Sequence, residues 1–345
     1  TVYNIFFNHF IDVLALFPYM LASLDDAVLS GKKGRFPFWV AVNLLNNYFF
    51  FAGQAVFLVI YFFCMLAGRA YKIGPRKFAA LAGETMLGCA LGCVLLLPAG
   101  LSLLQNPRTI DPFNGIGYLI YGKSQQYGAI LYSAFLMPDA PYFKDMFSEG
   151  ILKHTSLTAY LPVVGTAGGL AFCRGRRSHP FTYILKVCIV CAFVPVLNSL
   201  FYALNSSYYA RWYYMPVLVL CGATASLLAR PNLARRELPR AWGLTLAVTL
   251  SAAAFGLVPY TDDDGVTTLG VTDEPARFWA ILGVTVLGLL LFGVLWHFFR
   301  DRQRWPTVLL AAVLAFSFVY GSVHLSLTKY AQWDTDSGLI AQTYD

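Results

Sequence analysis

FPFWVAVNLLNNYFFFAGQAVFLVIYFFCMLA, residues 36–67, runs for 32 residues without a charge. About 20 apolar residues in a helix, rising 1.5 Å each, cross the hydrocarbon core of a bilayer. The run is too long for one ordinary span, and Asn43, Asn46, Asn47 and Tyr48 interrupt it just before Gly53 and Gln54. Two readings are open: two short helices joined at NNYFFFAGQ, or one long tilted helix. Charge favours the hairpin, which returns GKKGR (31–35) and RAYKIGPRK (69–77) to one side.

The rest of the chain shares this character. Of its 345 residues, 58% are hydrophobic and only 12% charged, with a mean hydropathy of +0.58. Soluble domains carry about 25% charged residues, so the composition is that of a membrane protein. The net charge of +7 does not point to nucleic acid, because the basic residues sit in short loops between apolar runs. All seven cysteines lie in or beside apolar runs. The CxxC of Cys188 and Cys191 has no His or carboxylate with it, and reads as small apolar filler rather than a redox or metal site.

The 20-residue ruler predicts further spans at Val13–Leu29, Phe78–Leu104, Leu157–Cys173, Phe181–Leu204, Trp212–Ala229, Ala241–Val258, Trp279–Phe299 and Pro306–Val323. Pro98 and Pro195 can kink their helices, while Gly88-x3-Gly92 and Gly165-x3-Gly169 are small-residue packing signals. One side receives GKKGR, RAYKIGPRK, RGRR, RPNLARRELPR and RDRQR, which together hold 17 of the 25 Lys and Arg. The acids on that side are Glu237 and Asp301. A basic side is cytoplasmic, so both termini and the loop 105–156 are expected outside. The predicted fold is an all-α polytopic bundle of ten spans, with eight as the alternative. Residues 1–323 would form the membrane domain, with short helices in loop 105–156, and 324–345 would begin an extracytoplasmic segment. The opening Thr1 and the polar end WDTDSGLIAQTYD read as a piece of a longer protein.

Polar side chains concentrate at the outer ends of the runs. Amides and charges near hydrocarbon are costly unless they face a bundle interior or a wet cavity, so this asymmetry suggests a hydrated pocket opening outward. Its centre is LNSLFYALNSSYYARWYYM, residues 197–215. A helix would put Asn198, Tyr202 and Asn205 on one face, followed by Arg211 among Tyr208, Tyr209, Trp212, Tyr213 and Tyr214. A guanidinium there matches phosphate oxygens, or alternatively pairs with a loop acid or stacks on Trp212. Candidate phosphate- or substrate-binding residues are Arg211, Arg108, Asn8, Asn47, Tyr48, Asn198, Asn205 and Tyr209. Each amide is also a candidate helix cap or interhelical bond. Asp12, four residues after Asn8, is a candidate general base or a first-turn carboxylate stabilising its helix. Glu84 and Lys186, each about 10 Å inside its span, are candidates for a buried ion pair, with separate snorkelling as the alternative. Asp262–Asp264 lack the spacing of an EF-hand, so no metal site is predicted.

Taken in order, the segments form a pattern. N-x3-D-x5-P at Asn8, Asp12 and Pro18 is followed by NNYFFFAGQAVFLVIYF, LLLPAGLSLLQNPR, SLTAYLPVVG and NSLFYALNSSYYARWYYM. Together they resemble the YfhO-like family of bacterial multi-spanning membrane proteins over most of residues 4–229, with 230–345 fitting by hydropathy alone. That family is similar to the GT-C membrane glycosyltransferases, which take sugar from a polyprenyl-phosphate carrier at the outer face of the plasma membrane. The resemblance implies transfer to a cell-envelope polymer such as a teichoic acid, or to another surface glycan. An acid in the first outer loop would act as base, and basic groups would receive the carrier phosphate. It also implies that the first span and that acidic loop precede Thr1, so that this piece alone is inactive. The need for a divalent metal is open.

Two other classes remain. A transporter or flippase of a lipid-linked or amphipathic solute would place polar residues at mid-membrane, usually beside broken helices. An envelope-assembly scaffold would need neither. Convergence of Asn47, Asn198, Asn205 and Arg211 around one outward cavity is the arrangement that favours the enzyme.

Overall fold

The chain is described from a computed structural model, which covers residues 11–104, 118–122, 125–138, 158–204, 210–261, 267–272 and 274–344. The first helix, α1 (Ile11–Leu29), ends at the GKKG turn, where Gly31 (φ 66°) and Gly34 (φ 82°) take left-handed conformations that cost glycine least. Gly34 then starts α2 (Arg35–Asn46). Asn47 is extended and its side chain accepts from the Phe50 amide at 3.2 Å, which ends α2 and caps α3 (Tyr48–Ala67). The uncharged run is thus two helices, as the hairpin reading has it, but unequal ones of 12 and 20 residues. Next come α4 (Pro75–Leu104), unbroken at Pro98, then α5 (Gln125–Tyr132) and α6 (Gly165–Gly175). Helix α7 (Pro180–Phe193) stops at the extended Val194, and Pro195 opens α8 (Pro195–Ser199) and a 3-10 turn at Leu200–Tyr202. The bend between these two arms is 107°. A second 3-10 turn, Arg211–Tyr213, leads into α9 (Tyr214–Leu228). The remainder is α10 (Pro231–Ser251), α11 (Ala254–Leu257), an antiparallel hairpin of β1 (Pro259–Thr261) and β2 (Thr267–Leu269), α12 (Pro275–Phe299) and α13 (Trp305–Tyr344).

These elements gather into two compact units, residues 3–122 with 177–216, and residues 123–176 with 217–345. In the first unit, Gly88 and Gly92 of α4 lie against Val40 and Leu44 of α2, so closely that a Cβ on Gly92 would fall 2.2 Å from Leu44 Cδ2. Phe17 of α1 and Phe57 of α3 are fully buried and meet edge to face at 5.7 Å. In the second unit, Gly168 and Gly169 of α6 leave room for Thr224 and Leu220 of α9, and Trp242 of α10 donates to the Leu289 carbonyl of α12 at 2.9 Å. The small residues let backbones approach, as membrane helices require.

Each unit ties its basic segments together through acids. Asp26 accepts from Lys32 at 3.2 Å and Arg35 at 2.8 Å, and Asp25 accepts from the phenols of Tyr61 and Tyr71. The end of α1, the start of α2 and the end of α3 therefore lie at one end of the first unit. In the second unit, Glu237 bridges Arg174 and Arg236, and Asp301 bridges Arg235 and Arg300. The two acids that the sequence puts among the basic segments are the ones that join them. RPNLARRELPR, expected as a loop, is the start of α10, because Pro231 at its first turn needs no N–H partner.

The protein is all-helical apart from the short hairpin, and polytopic. Among the described residues, five helices are long and apolar enough to cross a membrane, at Tyr48–Ala67, Pro75–Ser102, Pro231–Leu257, Pro275–Phe299 and Trp305–Ser326, with a sixth if the bent α7–α8 pair is one span. This is fewer than the ten or eight expected. Helix α1 carries Asp12, Asp25 and Asp26, while α2, α6 and α9 have 12, 11 and 15 residues, below the 20-residue ruler. Helix α13 runs on past Val323 to Tyr344 without a break at the expected segment boundary.

Candidate functional site

Helix α3 is about 30 Å long at 1.5 Å per residue. Its C-terminal end lies at the charged segments, where Tyr61 holds Asp25. Its N-terminal end carries a cluster of amides and aromatic rings. Gln54, 1% exposed, donates to the Tyr214 hydroxyl at 3.1 Å, and its Oε1 has no hydrogen-bond partner among the described residues. Asn43, 2% exposed, donates to the carbonyls of Trp39 at 2.9 Å and Leu16 at 3.4 Å, and its Oδ1 is likewise unpartnered. Tyr214 packs edge to face on Phe17, and Phe50 lies beside it.

Residues 194–204 and 210–214 fold over this end of α3. Gly53 permits it, since a Cβ there would sit 2.8 Å from the Phe201 carbonyl oxygen. The Phe201 ring stacks on Trp212 with centroids 3.9 Å apart and planes within 7°. The Trp212 indole donates to Asn198 Oδ1 at 2.6 Å, and both residues are buried. Ala203 (φ 51°) and Leu204 (φ 64°) are both left-handed, which costs about 1–2 kcal/mol per residue without glycine. Asn198 and Tyr202 lie on one helical arm, α-helical and then 3-10, and the left-handed Ala203 and Leu204 end that arm. Arg211 begins the second 3-10 turn, half-buried, with its backbone N–H donating to the Tyr202 hydroxyl.

The predicted residues divide as follows. Asn198, Asn47 and Tyr48 lie in the first unit with Arg211, but Asn198 is bonded to Trp212 and Asn47 caps α3. Tyr48 is half-buried in the first turn of α3, and Asp12 is exposed in the first turn of α1. Asn8, Arg108, Asn205 and Tyr209 lie outside the described residues. No ion pair joins Glu84 and Lys186. Lys186 is exposed on α7, and Glu84 stands on α4, which packs on α2, while α7 packs on α3. Glu84 Oε2 is buried without a hydrogen-bond partner among the described residues. The described residues bring no three His, Cys, Asp or Glu side chains together as metal ligands.

Sequence reasoning passed over Asp25. Its carboxylate accepts from Tyr61 at 3.1 and 3.2 Å and from Tyr71 at 2.5 Å, joining α1, α3 and the loop after α3. Burial, then the bond to Asp25, pushes the Tyr71 phenol well above its ordinary range, so it stays a donor. The signal was an acidic pair ending an apolar run, with Tyr61 at a similar distance before the next basic loop.

The order of these segments along the chain is matched over its length. The model of the family described as bacterial membrane protein YfhO matches residues 1–344. The chain belongs to this family. The match extends through α10–α13, where the sequence resemblance rested on hydropathy alone. No curated protein and no solved structure matches this YfhO-family chain.

Proposed function

We propose that this YfhO-family chain forms the membrane core of a glycosyltransferase that moves sugar from a polyprenyl-phosphate carrier to a cell-envelope polymer or glycan. The observation that carries the reading is the place of Arg211. It stands half-buried at the start of a 3-10 turn, next to Trp212 with its buried partner Asn198, at the end of α3 away from the charged segments. If the charged end faces the cytoplasm of a bacterial plasma membrane, Arg211 faces outward, where such carriers present their sugars.

Inverting transfer needs a base on the acceptor hydroxyl and a cation on the departing phosphate. Arg211 supplies the cation, with planar donors matched to phosphate oxygens. The amides of Gln54 and Asn43 and the hydroxyl of Tyr214 supply neutral hydrogen-bonding groups suited to sugar hydroxyls. Asp12 is placed at the start of α1, and its service as base is a separate question that its own substitution answers.

The 107° break between α7 and α8 favours a second reading, a transporter or flippase of a lipid-linked solute, since broken helices line transport sites. Vesicles containing the protein and a polyprenyl-phosphate sugar, labelled in the sugar, separate the two. Label passing to polymer supports the enzyme. Label crossing between leaflets and staying on its lipid supports transport and removes the transferase reading.

A further inference from the structure

Residues 133–138, SAFLMP, follow α5 in a segment that the sequence places in a polar loop, yet their backbone is held by side chains of four helices. The Ala134 carbonyl accepts from Thr166 of α6 at 2.7 Å, and the Phe135 carbonyl from Thr249 of α10 at 3.2 Å. The Pro138 carbonyl accepts from the Tyr320 hydroxyl of α13 at 2.7 Å. The Met137 amide donates to Thr285 of α12 at 3.2 Å, and the Ser133 carbonyl accepts from the Ala159 amide at 2.9 Å. Thr249 and Thr285 are fully buried and Met137 is 4% exposed. Tyr132 and Leu136 pack against the buried Ala252, Phe278 and Leu282.

Three helices measure how deep this lies. Thr285 is ten residues into α12 from Pro275, about 15 Å at 1.5 Å per residue. Thr249 is eight residues from Leu257, the far end of its apolar stretch, or about 12 Å. Tyr320 is six residues from Ser326, the far end of its stretch, or about 9 Å. All three distances are counted from the ends away from the basic segments. They agree on a depth of roughly 9–15 Å, inside the hydrocarbon region, where non-helical backbone persists only if protein groups satisfy it.

We infer that residues 125–138 are a re-entrant segment whose tip, 133–138, plugs the non-basic half of the second unit, clamped there by the hydroxyls of Thr166, Thr249, Thr285 and Tyr320. The inference stands apart from the glycosyltransferase reading, because it concerns access and not chemistry.

Single cysteines in a cysteine-free, membrane-reconstituted protein test it. Met137→Cys should react with an impermeant maleimide at least 100-fold more slowly than Thr267→Cys on the exposed hairpin. Adding Thr249→Val and Tyr320→Phe should speed Met137→Cys tenfold or more. A rate within threefold of Thr267→Cys in the clamped protein overturns the plug, and an unchanged rate after removing the two hydroxyls overturns the clamp. Depth has its own readout at Leu131, exposed on α5 beside Tyr132, whose hydroxyl meets Ser251 at 2.9 Å. An environment-sensitive fluorophore on Leu131→Cys should be quenched by chain-brominated lipid, and water-like, unquenched emission overturns the re-entrant placement.

Discussion

Trp212 donates its indole N–H to Asn198 Oδ1 at 2.6 Å, with both side chains buried, and this bond ties the second 3-10 turn to α8 beside α3. Removing one partner strands the other without water, which costs about 1–3 kcal/mol. Asn198→Leu and Trp212→Phe should each lower the unfolding midpoint in detergent. The double variant should lose less than the sum of the singles, since the second change removes the stranded atom. Additive losses would show that the bond is not the shared cause.

Close approach of Phe201 to α3 depends on Gly53, and Gly53→Val should destabilise by about 1–3 kcal/mol through overpacking. Gly83 on α4 has open space where a Cβ would stand. There, Gly83→Ala should stabilise by up to about 1 kcal/mol from helix propensity alone. The pair of unfolding curves checks both signs.

The Asp25 clamp makes a graded prediction. Tyr71→Phe removes one charge-assisted bond and should cost about 1.5–3 kcal/mol in unfolding free energy. Asp25→Asn keeps an acceptor oxygen and should be milder than Asp25→Leu, which leaves both Tyr61 and Tyr71 without their partner. Equal effects of Asn and Leu would mean that the phenol bonds contribute nothing measurable.

Acids at the basic ends differ in burial, and that sets their worth. Asp301 is exposed, so Asp301→Asn should change unfolding by less than about 1 kcal/mol. Glu237 is only 10% exposed between Arg174 and Arg236, and Glu237→Leu should cost more than Asp301→Asn under the same conditions. High salt should narrow the difference little, since the buried carboxylate is the less screened.

Membrane class, the break at Asn47 and the grouping of basic segments within each unit were legible because each follows from a local rule: an apolar length, a capping amide, a charge next to hydrocarbon. The ends of individual helices were not. The 20-residue ruler counts apolar residues and cannot see that α6 starts only at Gly165 or that α7 turns at Val194. Asn198 and Tyr202 share one helical arm, as their spacing suggests, but nothing in that spacing foretells the left-handed Ala203 and Leu204 that end it. Gln54 and Asp25 were visible as polar residues, but their partners Tyr214 and Tyr71 lie 160 and 46 residues away, and no spacing rule joins them. The re-entrant tip was hidden for a similar reason, its satisfaction coming from hydroxyls on four separate helices.

Arg211 carries the central claim, and complementation of a deletion strain tests it most directly, with envelope sugar transfer as the readout and protein level measured alongside. At equal protein levels, Arg211→Ala should lower transfer by about 100-fold or more, as loss of a preorganised charge at a leaving group does, and Arg211→Lys should restore part of it. Full transfer by Arg211→Ala would contradict the account and take phosphate recognition away from this turn.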